Sequence, residues 1–413
     1  MPKIQFRNRN GQLLVGNLEL PAGGDWQATA LFAHCFTCTR NIKAARNITR
    51  ALARAGFAVF RFDFTGLGES EGDFADTSFS SNLDDLEDAA RWLEQELAAP
   101  QLLVGHSLGG TAILAVTERL ASVRAVATIG SPAHPEHVLK QFDDHVETIE
   151  QQGSAEVQLA GRPFRIRKDF IEDARSHPMS ERMRKLRRAL LILHSPVDNI
   201  VSIDNAQAIY EAALHPKSFI SLDDADHLLS NDSDSNYVGD VLSSWAHRFL
   251  HLEARAAVDS ARIRGRTDDQ FLCSMQLGSH TLIADEPESM GGRNLGPDPY
   301  QQLAGSLGAC TVMTLNMYAR HKGLAVDRVS CDVSHQRMHA KDCADCDSDT
   351  GYISELSRSI TIEGELDEAE RQRMLEIADR CPVHPFFAEP GHEQPSSSAA
   401  QHGAPLHAGA AEL

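Results

Sequence analysis

Short, unbroken apolar runs recur through the first half of the chain, at positions 28–33, 57–62, 102–104, 123–129, 189–193 and 218–222. Runs of this length, bounded by polar turn residues, are what strands buried on both faces look like. Between most of them lie longer segments with apolar residues at three- and four-residue spacing, such as 47–55 and 83–97, which predict helices. Strand alternating with helix predicts an α/β domain, a mainly parallel sheet covered on both faces. Residues 3–7 and 13–20 precede this pattern and meet at Asn10-Gly11, a strong turn signal, so they read as an opening hairpin. The pattern pauses at 132–188, which reads as an inserted cap. Pro132, His134, Pro135 and His137 open it, a hairpin turns at Gly161-Arg162-Pro163, and a basic helix with Arg182, Arg184, Lys185, Arg187 and Arg188 closes it. That basic run reads as a solvated helix face. A last helix over 237–257 carries Val241, Leu242, Trp245, Phe249 and Leu252 toward the sheet.

From residue 258 the pattern changes. Three short strands, 261–266, 271–277 and 281–285, follow one another without intervening helices. A long helix then runs from Tyr300 to His321, with Tyr300, Leu303, Leu307, Cys310 and Leu315 on or near one stripe. Gly305 and Gly308 inside it each cost about 1 kcal/mol against alanine, which predicts that something packs close to both. Two long strands, 325–336 and 352–363, precede a helix opened by Asp367 and Glu370 in capping-box spacing, and that helix delivers Cys381. Residues 389–413 are rich in Pro, Ser, Ala and Gly and predict a disordered tail. The expected organisation is an α/β domain over 1–255, an α+β domain over 258–388, and the tail.

Charge and cysteine content narrow the function classes. A formal charge of −19 over 413 residues argues against a nucleic-acid partner, whose phosphates need a basic face. No apolar run approaches the roughly 18 residues that span a bilayer, so no membrane partner is expected. The N-terminal residues lack a secretory pattern, and eight cysteines in so long a chain read as reduced, catalytic or metal-binding residues of a cytoplasmic protein, not as a disulfide framework.

The chemistry-bearing residues fall at the carboxyl ends of the expected strands, where open α/β sheets bind ligands. Gly105-His106-Ser107-Leu108-Gly109 lies between an apolar run and a helical stretch, a G-x-S-x-G turn that can hold a serine hydroxyl clear of the sheet. Asp198 and His227 follow later strands. Ser107 by itself can be a turn serine, Asp198 one loop acid among several, and His227 a solvated histidine; three such residues on three strand ends point together to nucleophilic catalysis. Asp63 reads as a brace between neighbouring loops, and Glu69 and Asp73 as solvated acids.

These segments resemble the α/β-hydrolase family over residues 1–255: the elbow around Ser107, the acid loop Leu193-His194-Ser195-Pro196-Val197-Asp198, and Asp226-His227, in the family's chain order. The resemblance implies a serine hydrolase acting on a carboxylic ester or related acyl bond. Ser107 would be nucleophile, His227 general base and Asp198 the acid that orients it. The amides of Phe36 and Leu108 would form the oxyanion hole, although Cys35 stands where the family usually has glycine. The acyl substrate is left unnamed.

Gly296-Pro297-Asp298-Pro299-Tyr300, Leu307-Gly308-Ala309-Cys310-Thr311 and Cys381-Pro382-Val383-His384 together resemble the osmotically inducible protein C (OsmC) family over 258–388. That resemblance implies an intertwined homodimer that reduces organic hydroperoxides at the expense of a thiol reductant, with Cys310 attacking and Cys381 resolving. Family peroxidases also use a glutamate and an arginine at the thiolate; here Tyr300 and Gln301 occupy the stretch where the acid is expected, and Arg293 is the nearby arginine in sequence. His339, Cys343 and Cys346 have ligand-like spacing but supply three ligands where structural zinc takes four, so no metal or cofactor is expected. Cys35 and Cys38 form a C-x-x-C without a thioredoxin-like setting. Two alternatives stay open: the second domain serves only dimerisation, or the chain binds a small hydrophobic ligand without catalysis.

Overall fold

A computed structural model of the chain describes residues 3–34, 36, 38–159, 161–250, 252, 256–339 and 352–388. The expected tail, with Cys35, Cys343 and Cys346, lies outside them. The chain divides into two compact units that meet at residues 282 and 283.

In the first unit the strands are β1 (Lys3–Arg7), β2 (Leu13–Glu19), β3 (Ala28–Ala33), β4 (Phe57–Phe62), β5 (Leu102–His106), β6 (Ala125–Ile129), β7 (Ser154–Leu159), β8 (Arg162–Arg167), β9 (Ala189–His194) and β10 (Lys217–Ser221). Eight of them form one sheet in the order β1-β2-β4-β3-β5-β6-β9-β10, parallel from β4 onward. Helices α1 (Lys43–Arg54), α2 (Phe79–Glu96), α3 (Leu108–Val116), α4 (Asp143–Gln152), α5 (Lys168–Ser176), α6 (Met179–Lys185), α7 (Asp204–Ala212) and α8 (Asp232–Leu250) complete it.

The two-residue period of the strands divides the core. Leu31, Ala33 and Leu103 face α2, α3 and α7, whereas Ala30, Phe32, Leu102 and Val104 face α1 and α8. Because both faces are covered, β3 to β6 read as continuous apolar runs. Ser78 caps α2 in a capping box with Ser81. The cap segment consists of a 3₁₀ turn (Pro135–Phe142), α4, the β7–β8 hairpin, α5 and α6, and its Phe142, Phe170 and Met179 are buried in the same core as α2 and α3.

Strands β11 (Ala261–Gly265), β12 (Cys273–Leu277) and β13 (His280–Ala284) form a separate three-stranded sheet. Arg264 on β11 pairs with Asp25, beside the turn Ala22–Gly24, so this sheet's first strands belong to the first unit by contact. In the second unit α9 (Pro299–Lys322) lies on a ribbon of β14 (Val326–His339) and β15 (Tyr352–Gly364), beside α10 (Glu368–Ala378); a short turn, α11 (Pro385–Ala388), ends the described chain. Its core is small: Leu315, Ala319, Val329, Ile362, Met374 and Ala378. Of the expected stripe on α9, Leu307 and Leu315 are buried while Tyr300 and Leu303 are exposed among the described residues. Gly308 meets the expectation of close packing, its missing Cβ lying 3.3 Å from Val333, but among the described residues nothing approaches Gly305 within 4 Å. No helix of the described residues is long and apolar enough to cross a membrane.

Candidate active site

Ser107 sits between β5 and α3 with φ 55° and ψ −129°, a strained conformation that a non-glycine residue adopts only where its surroundings enforce it. The Ser107 amide donates to Ile129 O at 2.8 Å, which ties the turn to β6. Glycines on either side make this possible: a Cβ on Gly109 would collide with the Ala33 and His34 carbonyls at the end of β3. Helix α3 begins at Leu108, so the Leu108 amide has no acceptor within the helix.

His227 Nε2 lies 3.1 Å from Ser107 Oγ, and His227 Nδ1 lies 2.7 Å from Asp198 Oδ2. The structure thus brings the three expected residues into one chain of contacts. Asp198 follows β9; its Oδ1 accepts from the Ile200 and Val201 amides, each at 2.9 Å. Burial opposes its charge, but hydrogen bonds from His227 and these amides win and hold the carboxyl below its ordinary value. Asp204, at the start of α7, instead takes the Ser202 hydroxyl at 2.9 Å. Gly130 has φ +52°, and a Cβ there would lie 3.3 Å from Asp198 Oδ2 and 3.4 Å from His227 Nδ1, so this glycine leaves room for the pair.

Buried polar groups hold the loops around this chain. His106 Nε2 donates to the His227 carbonyl at 2.7 Å, and His194 Nε2 to Val201 O at 2.7 Å. Burial, with His227 beside it, lowers His106 to about 4, and burial also lowers His194, so both rings are neutral donors. Asp63 braces as expected: Oδ1 accepts the Arg40 amide at 2.7 Å, Oδ2 the Glu69 amide at 3.1 Å, and the buried Arg40 guanidinium pairs with it. Glu69 is exposed, as expected of a solvated acid, and also pairs with Arg40 and Lys3. Asp73 is exposed too, and accepts the Ala75 amide at 2.9 Å as a turn cap.

Phe36 is buried, its ring 5.4 Å from Phe74 and 5.6 Å from Phe170 of the cap. A pocket of about 280 Å³, counted out to its mouth, opens beside it, lined by Phe36, Phe64, Leu67, Phe74, Leu108 and Ala112, with Asn82 among its few polar groups. Its lining includes Leu108 and Gly109, the two residues that follow Ser107.

In the second unit Cys310 on α9 and Cys381, just beyond α10, are close enough to influence each other's ionisation. Arg358 on β15 reaches Thr311 Oγ1, next to Cys310 in sequence, at 3.1 Å, and the Arg293 amide donates to Asp285. Sequence spacing hides Arg358 because the β-ribbon brings it across from α9. Gln301 is used in the capping box of α9 with Asp298, and Tyr300 stacks on His335 at 4.3 Å. Cys273, Cys310, Cys331 and Cys381 are free thiols, whereas Cys38 is disulfide-bonded, so the expectation of reduced thiols does not hold at Cys38. Among the described residues no group of three or more His, Cys, Asp or Glu could hold a metal; of the candidate ligands, Cys343 and Cys346 and the His339 side chain fall outside that description.

A model of the alpha/beta hydrolase family matches residues 30–262, more than half of the chain. The chain belongs to the alpha/beta hydrolase family. A model described as OsmC-like protein matches residues 291–391, so the hydrolase is followed by an OsmC-like domain. This esterase-like hydrolase is similar to the esterase domain of a Rhodothermus marinus protein, whose crystal structure is 45% identical, covers 60% of this chain and 98% of that one, and has a TM-score of 0.50. It is 27% identical over 216 residues to the mitochondrial palmitoyl-protein thioesterase ABHD10 of Rattus norvegicus, spanning 49% of this chain and 67% of that protein. The solved alpha/beta hydrolase domain-containing protein 10 from mouse, 22% identical with a TM-score of 0.51 over 60% of this chain and 99% of that one, shares the fold.

Proposed function

We propose that this hydrolase cleaves carboxylic esters or related acyl bonds through Ser107, His227 and Asp198, over a catalytic domain of residues 1–255 whose cap spans 132–188. The observation that carries the reading is the unbroken contact chain from Ser107 Oγ through the His227 ring to Asp198 Oδ2, at 3.1 and 2.7 Å. With Nδ1–H given to Asp198, His227 Nε2 is free to take the serine proton as Oγ attacks the acyl carbon. The Phe36 and Leu108 amides receive the negative charge on the former carbonyl oxygen. His227 then returns the proton to the leaving group, and water repeats the sequence in reverse to release the acid.

The apolar pocket receives the acyl or aryl group of the substrate. Its enclosed part is small, because much of its volume of about 280 Å³ is open to solvent. That size favours a short acyl or aryl group over the palmitoyl group in the name of the thioesterase relative. An alkyl fluorophosphonate tests the reading: the parent chain should gain one label, on Ser107, and Ser107→Ala none.

The OsmC-like domain, expected over 258–388, is proposed to reduce organic hydroperoxides with Cys310 and Cys381, recycled by a thiol reductant in a reducing compartment such as the cytoplasm. The paired thiols support this. The same domain is proposed to make the chain a homodimer, because α9 exposes Met313 (64%) and Met317 (72%) among other apolar side chains.

A further inference from the structure

The pocket that Leu108 and Gly109 help to line is walled mainly by aromatic and aliphatic side chains, and two polar ones reach its lining, His34 and Asn82. The His34 ring packs edge-on against Phe64 at 5.0 Å. Asn82 stands in the first turn of α2. Asparagine is a poor choice there on local grounds. It gives up helix propensity, and a carboxamide left unpaired beside an apolar wall costs free energy.

The neighbouring positions show what polar side chains on this stretch otherwise do. Ser78 Oγ accepts the Ser81 amide at 3.1 Å, and Ser81 Oγ accepts the Ser78 amide at 2.8 Å. Ser80 Oγ donates to Asp173 Oδ1 on α5 of the cap at 2.6 Å, and the Ser80 amide donates to Asp173 Oδ2 at 2.8 Å. Asp84 pairs with Arg119, Asp85 accepts from Asn8 and from the Thr65 amide, and Glu87 and Asp88 both hold Arg9. From Ser78 to Asp88 the Asn82 carboxamide is the one polar side chain without a hydrogen-bond partner among the described residues. Its helical turn is nevertheless fixed twice, by the capping box and by the cap through Asp173.

A rigidly held, unused donor and acceptor at an apolar pocket is what a binding site uses to read one polar atom of its ligand. The carboxamide offers an oxygen acceptor and N–H donors. A hydroxyl both gives and takes a hydrogen bond, so it suits Asn82 in either orientation. A carboxylate or an ammonium group suits it poorly, because no Asp, Glu, Lys or Arg among the described residues lines the pocket to offset the loss of solvent.

We propose, resting on the acyl-hydrolase reading above, that Asn82 is a specificity-determining residue that hydrogen-bonds a hydroxyl on the acyl part of the substrate. The preferred substrates are then esters of short aliphatic or aromatic hydroxy acids rather than of plain alkanoic acids.

The test compares kcat/KM of the full-length chain for matched p-nitrophenyl esters, 3-hydroxybutyrate against butyrate and 3-hydroxybenzoate against benzoate. The hydroxyl's own effect on the reactivity of its ester is common to parent and variant, so it cancels when their ratios are divided. In at least one pair the parent's ratio should exceed that of Asn82→Leu and of Asn82→Ala by about 10-fold or more, the scale of a hydrogen bond lost from an apolar site. One variant fills the space of the carboxamide and the other empties it, so a preference lost in both belongs to the hydrogen bond. A preference lost in only one belongs to packing and overturns the assignment. Ratios that agree between parent and variants in both pairs, with Ser107→Ala inactive on the same esters, overturn the assignment and leave the hydrolase reading standing. A Ser107→Ala chain as fast as the parent on these esters overturns the hydrolase reading, and the assignment with it.

Discussion

Acidifying the hydrolase from pH 7 to pH 5 should cost stability through His106, and the size of the effect can be worked out. The ring is buried; Nε2–H donates to the His227 carbonyl, and Nδ1 has no hydrogen-bond partner among the described residues. A second proton would put an unsolvated charge at Nδ1, so burial, with His227 nearby, lowers the group from 6.5 to about 4. Between those values the unfolded chain binds a proton that the folded chain refuses, so stability rises with pH there. The contribution is whole above the unfolded value and is lost as pH falls toward the folded one. Integrated from pH 7 to pH 5, the loss is about 2 kcal/mol. Trp26, Trp92 and Trp245 all belong to the first unit, so urea unfolding followed by tryptophan fluorescence reports on it. The parent should lose about 2 kcal/mol more than His106→Gln over this pH interval. Because His194 and the carboxylates titrate in both proteins, the difference isolates His106. Equal losses in the two would refute the neutral, Nε2-donating ring.

Asp198→Asn should lower kcat for p-nitrophenyl acetate by about 10³–10⁴-fold, since an amide favours the wrong imidazole tautomer, while Asp204→Asn should change it less than twofold; the reverse ranking would move the acid's role. Ala112→Leu, at the pocket wall, should lower kcat/KM for p-nitrophenyl butyrate by about 10-fold or more relative to the acetate, the scale of a methylene or two in an apolar site, and equal effects on both esters would place the acyl group elsewhere. Light scattering of the full-length chain at micromolar concentration should give the mass of a dimer, and a monomer would contradict the covering of α9 by a second copy.

Much of the α/β unit was legible because its strands are buried on both faces and so carry unbroken apolar runs between polar turns. The Ser107 turn could be read for a local reason, its flanking glycines. Other features depend on contacts between distant residues, which leave little local trace. Gly130 matters only because Asp198 and His227 arrive beside it from two later loops. Arg358 reaches Thr311 across 47 positions, through a ribbon whose register sets its place. Arg40 looks like an ordinary loop cation until Asp63 is brought beneath it in the buried interior. The stripe predicted on α9 failed at Tyr300 and Leu303 because apolar spacing marks a face that needs covering, without saying whether the same chain covers it.

The central claim is that Ser107 attacks the acyl carbon with His227 taking its proton. The most direct measurement is the steady-state hydrolysis of p-nitrophenyl acetate by the parent chain, Ser107→Ala and His227→Ala, each checked for an unchanged circular dichroism spectrum. The account predicts that both variants lose all but a trace of the parent's kcat/KM while keeping the fold, since alanine fits the turn and removes only the hydroxyl. A Ser107→Ala protein that hydrolysed the ester as fast as the parent would contradict it.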